Sequence, residues 1–392
     1  MSHTGTTTNP GSSIATAQQP SLGELALVFL KLGTTAFGGP AAHIAMMEEE
    51  FVRRRGWLTQ QEFLDRLGAA NLIPGPSSTE MAIHIGLAKR GWRGFLVAGC
   101  CFIIPAALLV GFIAAAYVRF GSMPRVGGIL YAVKPVVIAV VAQAFWNLAK
   151  PAVKNTWLGI IGALSAAAYI FHAHELLILL LAGIAATIPL WRNLGRSASV
   201  FSFSFPLASL GMNLALPNNA LPFSLLRLFL TFAKIGSVLF GSGYVLLAFL
   251  RSDFVDRLHW LTEKQLLDSV AVGQVTPGPV FTTATFIGYL VGGVPGAIVA
   301  TLAIFLPAFF FVAASGPLIS RIRKSPVASR FLDGVIVGSL ALMGVVAWQL
   351  GRAAIVDVTT IIIALVSAAL LFRFRINSAW LVLAAGLIGW SL

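Results

Sequence analysis

The chain carries little charge. Of its 392 residues only 10% are Asp, Glu, Lys or Arg, against about 25% in an ordinary soluble domain. So little polar surface cannot cover a core of this size, which excludes a soluble globular protein. Acids are scarcer than bases, 14 against 27, for a net charge of +13. The two cysteines, Cys100 and Cys101, stand side by side in an apolar run. They exclude a disulfide framework and read as small packing residues. No basic segment followed by a hydrophobic stretch and a cleavage site opens the chain, so no removable signal peptide is expected. A phosphate-binding loop of the Gly-x-x-x-x-Gly-Lys-[Ser/Thr] type is also missing, which argues against direct drive by ATP.

What is present is apolar. Hydrophobic residues make up 57% of the chain and the mean hydropathy is +0.87. Residues 95–118 contain no charge, and about 20 apolar residues are enough to cross the hydrocarbon core. Comparable stretches occupy 129–149, 156–190, 225–250, 270–292, 297–319, 335–350, 355–372 and 376–392. Backbone polar groups in lipid must be satisfied internally, so these are helices. The basic residues lie in short loops between them, a pattern of membrane orientation rather than of nucleic-acid binding. Residues 1–20, rich in Ser, Thr, Gly and Pro, read as a disordered tail.

The sequence repeats itself at an offset of 203 residues. Leu27, Phe29, Lys31, Gly33, Phe37 and Gly38 match Leu230, Phe232, Lys234, Gly236, Phe240 and Gly241. Phe51, Val52 and Arg54 match Phe254, Val255 and Arg257. Trp57-Leu58-Thr59 matches Trp260-Leu261-Thr262, Leu64-Asp65 matches Leu267-Asp268, and Pro74-Gly75-Pro76 matches Pro277-Gly278-Pro279. One residue then drops out, and Gly94 and Pro105 match Gly296 and Pro307. The chain divides into a first repeat at 21–192, a linker at 193–224 and a second repeat at 225–392.

Loop charges orient the repeats. Counted alternately from the loop after Pro-Gly-Pro, the first repeat puts seven basic residues on its starting side and two on the other. The second puts one and six. Opposite biases mean opposite orientations in the membrane, and inverted repeats are a transporter signature. The fold class is an all-α polytopic membrane protein of two homologous halves in inverted topology. It has about 10 to 13 transmembrane helices, according to whether the Pro-Gly-Pro segments re-enter or cross. In the crossing case the linker, at Val200 to Leu216, adds a span. Residues 48–66 and 251–266 read as amphipathic interfacial helices anchored by Trp57 and Trp260.

Three constellations could carry chemistry. Pro74-Gly75-Pro76 and Pro277-Gly278-Pro279 must break a helix, because proline removes a donor and clashes with the preceding turn. The half-helix that follows offers free N–H groups and a positive dipole end to an anion. Ser77, Ser78 and Thr79 add hydroxyls in the first half, and Thr282 and Thr283 in the second; the plainer role is a packing kink. Lys31 and Lys234 lie mid-segment, with Gly38-Gly39 and Gly241 two turns on. Two buried ammonium groups would suit a dianion, unless each snorkels to the interface. Glu80 and His84 share a helix face and are a proton-relay candidate. At that offset Thr283 and Ile287 stand in their place in the second half. Glu80 could instead cap its helix or pair with Lys31. The run His172-Ala173-His174-Glu175 lacks further ligands, so neither metal nor cofactor is expected.

These residues resemble a known family. Phe-Gly-Gly-Pro at 37–40, Trp-Leu-Thr at 57–59, Asn-Leu-Ile-Pro-Gly-Pro at 71–76 and Glu-Met-Ala-Ile-His-Ile-Gly at 80–86 look like the first domain of long-chain chromate transporters. Gly-Gln-Val-Thr-Pro-Gly-Pro at 273–279 and Phe-Ile-Gly-Tyr at 286–289 look like the second. The resemblance implies a bacterial inner-membrane protein, not an enzyme, that exports chromate, a mimic of sulfate, using the proton-motive force. Sulfate or another oxyanion, or an anion channel of the same fold, is the alternative. A membrane-embedded lipid enzyme would need a nucleophile or metal constellation that the sequence lacks. The partners expected are the oxyanion and the bilayer, with a homodimer allowed and no nucleic acid.

Overall fold

The computed structural model describes residues 19–37, 39–121, 123–193, 222–240, 245–374 and 376–391. Among them every regular element is a helix. The first half runs α1 (Leu22–Thr35), α2 (Gly39–Glu48) with a π-helical turn at Glu49–Arg54, α3 (Gln60–Ala70), α4 (Ser77–Phe120), α5 (Pro124–Ala152), α6 (Thr156–Ile170) and α7 (Glu175–Asn193). The second runs α8 (Leu225–Val238), α9 (Leu246–Leu250) with a π-helical turn at Arg251–Arg257, and α10 (Glu263–Val275). A 3₁₀ turn at Val280–Thr282 leads to α11 (Thr283–Lys324), α12 (Pro326–Ala354), α13 (Val358–Phe374) and α14 (Ser378–Ser391). Reciprocal capping boxes start three of these helices: Ser21 with Glu24, Thr59 with Glu62, and Thr262 with Gln265. The Thr59 N–H also holds the Glu62 carboxyl below its ordinary range.

The long helices α4 and α11 each fold back on themselves. Arg90-Gly91 and Gly292-Gly293 leave helical geometry, with φ of 56° at Gly91 and 62° at Gly293. Only glycine takes that conformation without strain. The two limbs of each hairpin touch backbone to backbone, Gly86 on Gly94 and Gly288 on Gly296. The first limb of α4 is about 20 Å long at 1.5 Å per residue, too short for a hydrocarbon core of about 30 Å. Its second limb crosses. Ser77–Phe120, Gly127–Ala152, Val280–Ala314 and Pro326–Ala354 are long and apolar enough to span, and Thr156–Ile170, Glu175–Leu190, Val358–Phe374 and Ser378–Ser391 are shorter apolar helices.

The remaining elements are half-helices that converge on the breaks. Helix α1 starts beside the α4 hairpin turn, where Arg90 Nε donates to Pro20 O at 2.5 Å. It runs along the second limb, with Gly33 against the Phe102 carbonyl, and stops at Ala36. Helix α3 runs antiparallel to the first limb, its Glu62 within electrostatic reach of Lys89. The same arrangement recurs in the second half, where Phe223 covers Gly292 and packs on Trp260. The apolar segment 225–250 is therefore not one span, because α8 ends at Val238 and α9 starts afresh at Leu246. Trp57 is also not an interfacial anchor. It is 5% exposed, packed on Phe51 with the Arg55 guanidinium 4.9 Å from its ring.

The inversion is visible in how equivalent helices meet. Phe145 packs at Gly344 and Ile138 at Gly351, so α5 and its repeat α12 run antiparallel. A two-fold relating antiparallel spans lies in the membrane plane. The halves also exchange their ends. Helix α7 packs on α12, with Gly183 at Phe331 and Gly334 on the Ala182 carbonyl, and α14 packs on α5, with Gly389 on Gly128. Helix α7 thus ends on the Arg90 face, whereas α8 begins on the Gly293 face. The expected span at Val200 to Leu216 and the tail to residue 18 lie outside the described residues.

The Arg90 face carries Arg53, Arg54, Arg55, Lys89, Arg90, Arg93, Lys150, Lys154, Arg330 and Arg373, against Arg119, Arg125, Arg227, Arg251, Arg257, Lys264 and Arg352 on the Gly293 face among the described residues. The positive-inside rule predicts that the Arg90 face is the cytoplasmic one. Cysteines placed at 90 and 323 are expected to be shielded from an impermeant maleimide in intact cells, and one placed at 293 to be labelled. Equal labelling at 90 and 293 would end the inverted arrangement.

Candidate functional site

The two breaks are held by a reciprocal pair of hydrogen bonds. The N–H of Gly75 donates to Leu239 O at 2.7 Å, and the N–H of Gly278 donates to Ala36 O at 2.9 Å. Ala36 and Leu239 are themselves equivalent, each the residue at which a half-helix ends. Each half's break therefore caps the exposed carbonyl end of the other half's first helix. The geometry needs glycine: φ is 139° at Gly75 and 88° at Gly278. Pro74, Pro76, Pro277 and Pro279 flank these glycines and fix the entry and exit of each break.

Beyond this shared frame the breaks differ. In the second half the hydroxyls are satisfied locally, Thr282 donating to Pro279 O and Thr283 to Val280 O, both at 2.8 Å. The 3₁₀ turn there also absorbs the missing residue, because three 3₁₀ residues rise about as far, ~6 Å, as four α-helical ones. The register then brings Phe286, not Ile287, to the position of His84, as the matching Gly86 and Gly288 contacts show. In the first half, Ser77, Ser78, Thr79 and Glu80 are all buried. Thr79 Oγ1, both carboxyl oxygens of Glu80 and His84 Nε2 have no hydrogen-bond partner among the described residues. The N–H groups of Ser77 and Ser78 have none either, since the bonds to Pro76 O come from Thr79 and Glu80. Glu80 folds back over the break, so that a Cβ on Gly75 would strike its Oε1.

Leaving a buried polar group unsatisfied costs roughly 1–3 kcal/mol, and native proteins do so rarely without a reason. Here donors, hydroxyls and a helix N-terminus converge with a carboxyl group that can exchange a proton. The arrangement suits an oxyanion whose binding is linked to protonation.

The lysines sit in a different setting. Lys234 Nζ lies 2.6 Å from Asp253 Oδ1, and Arg257 contacts the same oxygen at 2.8 Å. Lys31 is exposed, and Glu50, the repeat of Asp253, is within its electrostatic reach and bonded to Arg54 and Arg55. Lys234 is thus bonded to the acid of the neighbouring π-helical turn, and Lys31 lies within electrostatic reach of the equivalent acid. Gly39, with φ of 79°, opens α2 and is buried. Gly38 and Gly241 lie outside the described residues. Among the described residues no group of three or more His, Cys, Asp or Glu side chains is placed to hold a metal.

One residue at the second break escaped the sequence reading. His43 is 1% exposed and its Nε2 lies 3.1 Å from Ala36 O, the carbonyl that Gly278 also engages. The repeat has Leu246 there. A single imidazole in the apolar run of α2 was the available signal.

Inverted repeats, crossed half-helices and polar helix breaks buried among apolar spans define a membrane transporter. The family model for chromate transporters matches residues 23–188 and 226–390, and the chain belongs to that family. It is 35% identical over 391 residues to the chromate transport protein of Cupriavidus metallidurans, covering 97% of this chain and 96% of that protein. It is 30% identical to the chromate transport protein of Pseudomonas aeruginosa, covering 92% and 90%. An uncharacterised transporter of Methanocaldococcus jannaschii is 28% identical over the whole of this chain and 99% of its own. No solved structure matches.

Proposed function

We propose that this chain exports chromate, a tetrahedral dianion, from the cytoplasm across a bacterial inner membrane using the proton-motive force. The observation that carries the reading is the first break, where the Thr79 hydroxyl and both carboxyl oxygens of Glu80 are buried without a hydrogen-bond partner among the described residues. The Ser77 and Ser78 N–H groups and the Ser77, Ser78 and Thr79 hydroxyls hold anion oxygens. Proline flanks keep the donors from closing into a regular helix. Glu80 gates the site. Its ionised form repels a dianion at contact distance, and its protonated form donates a hydrogen bond. Export of negative charge from an inside-negative cell is favoured by about 2.3 kcal/mol per charge per 100 mV. The potential therefore drives the anion, while Glu80 sets when the site accepts and releases it. The related chromate transport proteins support the substrate.

The test is uptake of labelled chromate into inverted vesicles, with and without a protonophore and excess sulfate. Accumulation against a gradient, lost with the protonophore, is expected. Accumulation that follows the potential alone and does not respond to a pH gradient imposed at constant potential would make the chain an anion channel, and full competition by sulfate at equal concentration would make it a general oxyanion transporter.

A further inference from the structure

The two halves repeat in sequence but not in packing. Helices α6 and α7 pack on α12 as α13 and α14 pack on α5. The hairpins break this symmetry. Helix α10 packs on α5, α12 and α14, and α9 packs on α12. Their counterparts differ: α3 packs on α4 and α11, and α2 on α1 and α4. Neither packs comparably on α5, α7 or α12 among the described residues. Identical residues therefore stand in different surroundings. Leu267 is 3% exposed and its repeat Leu64 is 47% exposed. Asp268 is buried, with Tyr117 donating to it at 2.8 Å and Lys134 Nζ at 2.9 Å, whereas Asp65 is exposed. Ala248 is buried and Ala45 is exposed.

The surface that would receive α2 and α3 is under-packed too. Towards the Gly293 face, Val346, Leu350 and Ala354 of α12 are buried, and Gln349 accepts from Arg251. Towards the Arg90 face, their repeats in α5 are Ala144, Leu148 and Ala152, all only partly buried, and Asn147, which is exposed. Two faces joined in one half thus stand apart in the other. Lipid does not account for the difference, because the uncovered hairpin exposes Glu49, Asp65 and Asn71, and charges against lipid are costly. The facing charges are complementary instead. The hairpin carries Glu48-Glu49-Glu50. At the Arg90 ends of α5 and α13, Lys150 and Arg373 lie over the Trp146 and Phe374 rings. Neither has a carboxylate partner among the described residues.

We propose that α2 and α3 present an interaction surface whose partner is the Arg90-side half of α5, together with Ile336 of α12, in a second state of this chain. The repeat sets the register. Glu48 meets Asn147 as Arg251 now meets Gln349, and Asp65 meets Ile336 as Asp268 now meets Lys134. The present structure is joined on the Gly293 side and open on the Arg90 side; the second state is the reverse. The bonds from Gly75 to Leu239 O and from Gly278 to Ala36 O tie the two hairpins together, so docking of one is linked to release of the other. This rests on the transport reading above, to which it supplies alternating access, and its main test does not depend on flux.

The test is cross-linking of the full chain in membranes by a short, reducible bis-maleimide. Cys100 and Cys101 are first replaced by alanine, and the folding of every variant is checked by thermal melting. Arg251→Cys/Gln349→Cys reports the present state and should bridge. Glu48→Cys/Asn147→Cys and Asp65→Cys/Ile336→Cys report the second state and should bridge as well. Arg251→Gln removes the guanidinium that holds Gln349 and Glu263. It should shift the population and raise both second-state yields at least about twofold. Bridging Glu48→Cys/Asn147→Cys should also stop chromate flux, and reduction should restore it. Suppose neither second-state pair bridges, with or without Arg251→Gln, in protein whose Arg251→Cys/Gln349→Cys pair does. The hairpin is then permanently uncovered and the proposal is overturned. Undiminished flux through the bridged protein would overturn it too. Bridging as described in a chain whose vesicles move no chromate would remove the export reading and leave the second state standing.

Discussion

Glu80→Gln is expected to leave chromate binding within about threefold of wild type while cutting proton-driven accumulation about tenfold or more, the latter a change of ~1.4 kcal/mol or more. Glutamine matches the carboxyl in size and, like its protonated form, donates a hydrogen bond, but it does not titrate. The anion would therefore be accepted at every pH and released poorly. Binding and flux should both lose the pH dependence that wild type shows. Because Glu80 is wholly buried with both oxygens unpartnered among the described residues, the substitution removes no bond seen there, and folding should be undisturbed. His84 lies one turn on and is only partly buried, so His84→Gln should shift the pH optimum without abolishing transport. The measurements are equilibrium binding and gradient-driven flux in reconstituted vesicles across a pH series. Normal pH dependence in Glu80→Gln would make Glu80 a structural cap.

The glycines of the breaks should fail differently. Gly75→Val and Gly278→Val each place a β-branched residue at positive φ, a strain of about 1–3 kcal/mol. At Gly278 the new Cβ would also stand 2.5 Å from Ala106 Cβ and 2.9 Å from Gly33 O. The latter is backbone and yields little, so overpacking adds about 1–3 kcal/mol. Gly278→Val should therefore lose thermal stability as well as the Ala36 bond. At Gly75 the obstruction is the Glu80 carboxyl, which can swing aside. Gly75→Val should fold better and yet bind chromate at least about tenfold more weakly at all pH values, since ~1.4 kcal/mol is enough for that. Melting curves and binding titrations on both variants decide the matter. Two variants that fold and bind normally would reduce the breaks to packing kinks.

Much of this architecture is legible in the sequence because the repeat is. Matching Trp-Leu-Thr and Pro-Gly-Pro placed the breaks at equivalent positions, and the opposed basic bias oriented the halves. The contacts of α5 with α12 carry that inversion in structural terms. What escaped depends on distance along the chain or on chemistry that identity matching ignores. The partner of Lys234 is Asp253, whose repeat is Glu50. An Asp paired with a Glu leaves no match at the offset, so both lysines read as free cations. The Tyr117 bond to Asp268 joins residues 151 apart and has no copy, so neither periodicity nor repetition could reveal it. Residues 225–250 read as one hydrophobic span because hydropathy does not register the end of α8, set by Leu239 in extended geometry and capped from the opposite half. The difference between the two breaks turns on one deleted residue, whose effect is a local 3₁₀ turn.

The account stands on the anion occupying the first break and not the second. Equilibrium chromate binding to two full-length variants tests this most directly, one carrying Ser77→Ala, Ser78→Ala and Thr79→Val and the other Thr282→Val and Thr283→Val. Hydrogen bonds to a charged group contribute roughly 1.5–3 kcal/mol each, so the first variant should bind at least about tenfold more weakly. In the second variant the lost hydroxyls serve Pro279 O and Val280 O among the described residues, and affinity should stay within about twofold. Equal loss in both, or a larger loss in the second, would contradict it.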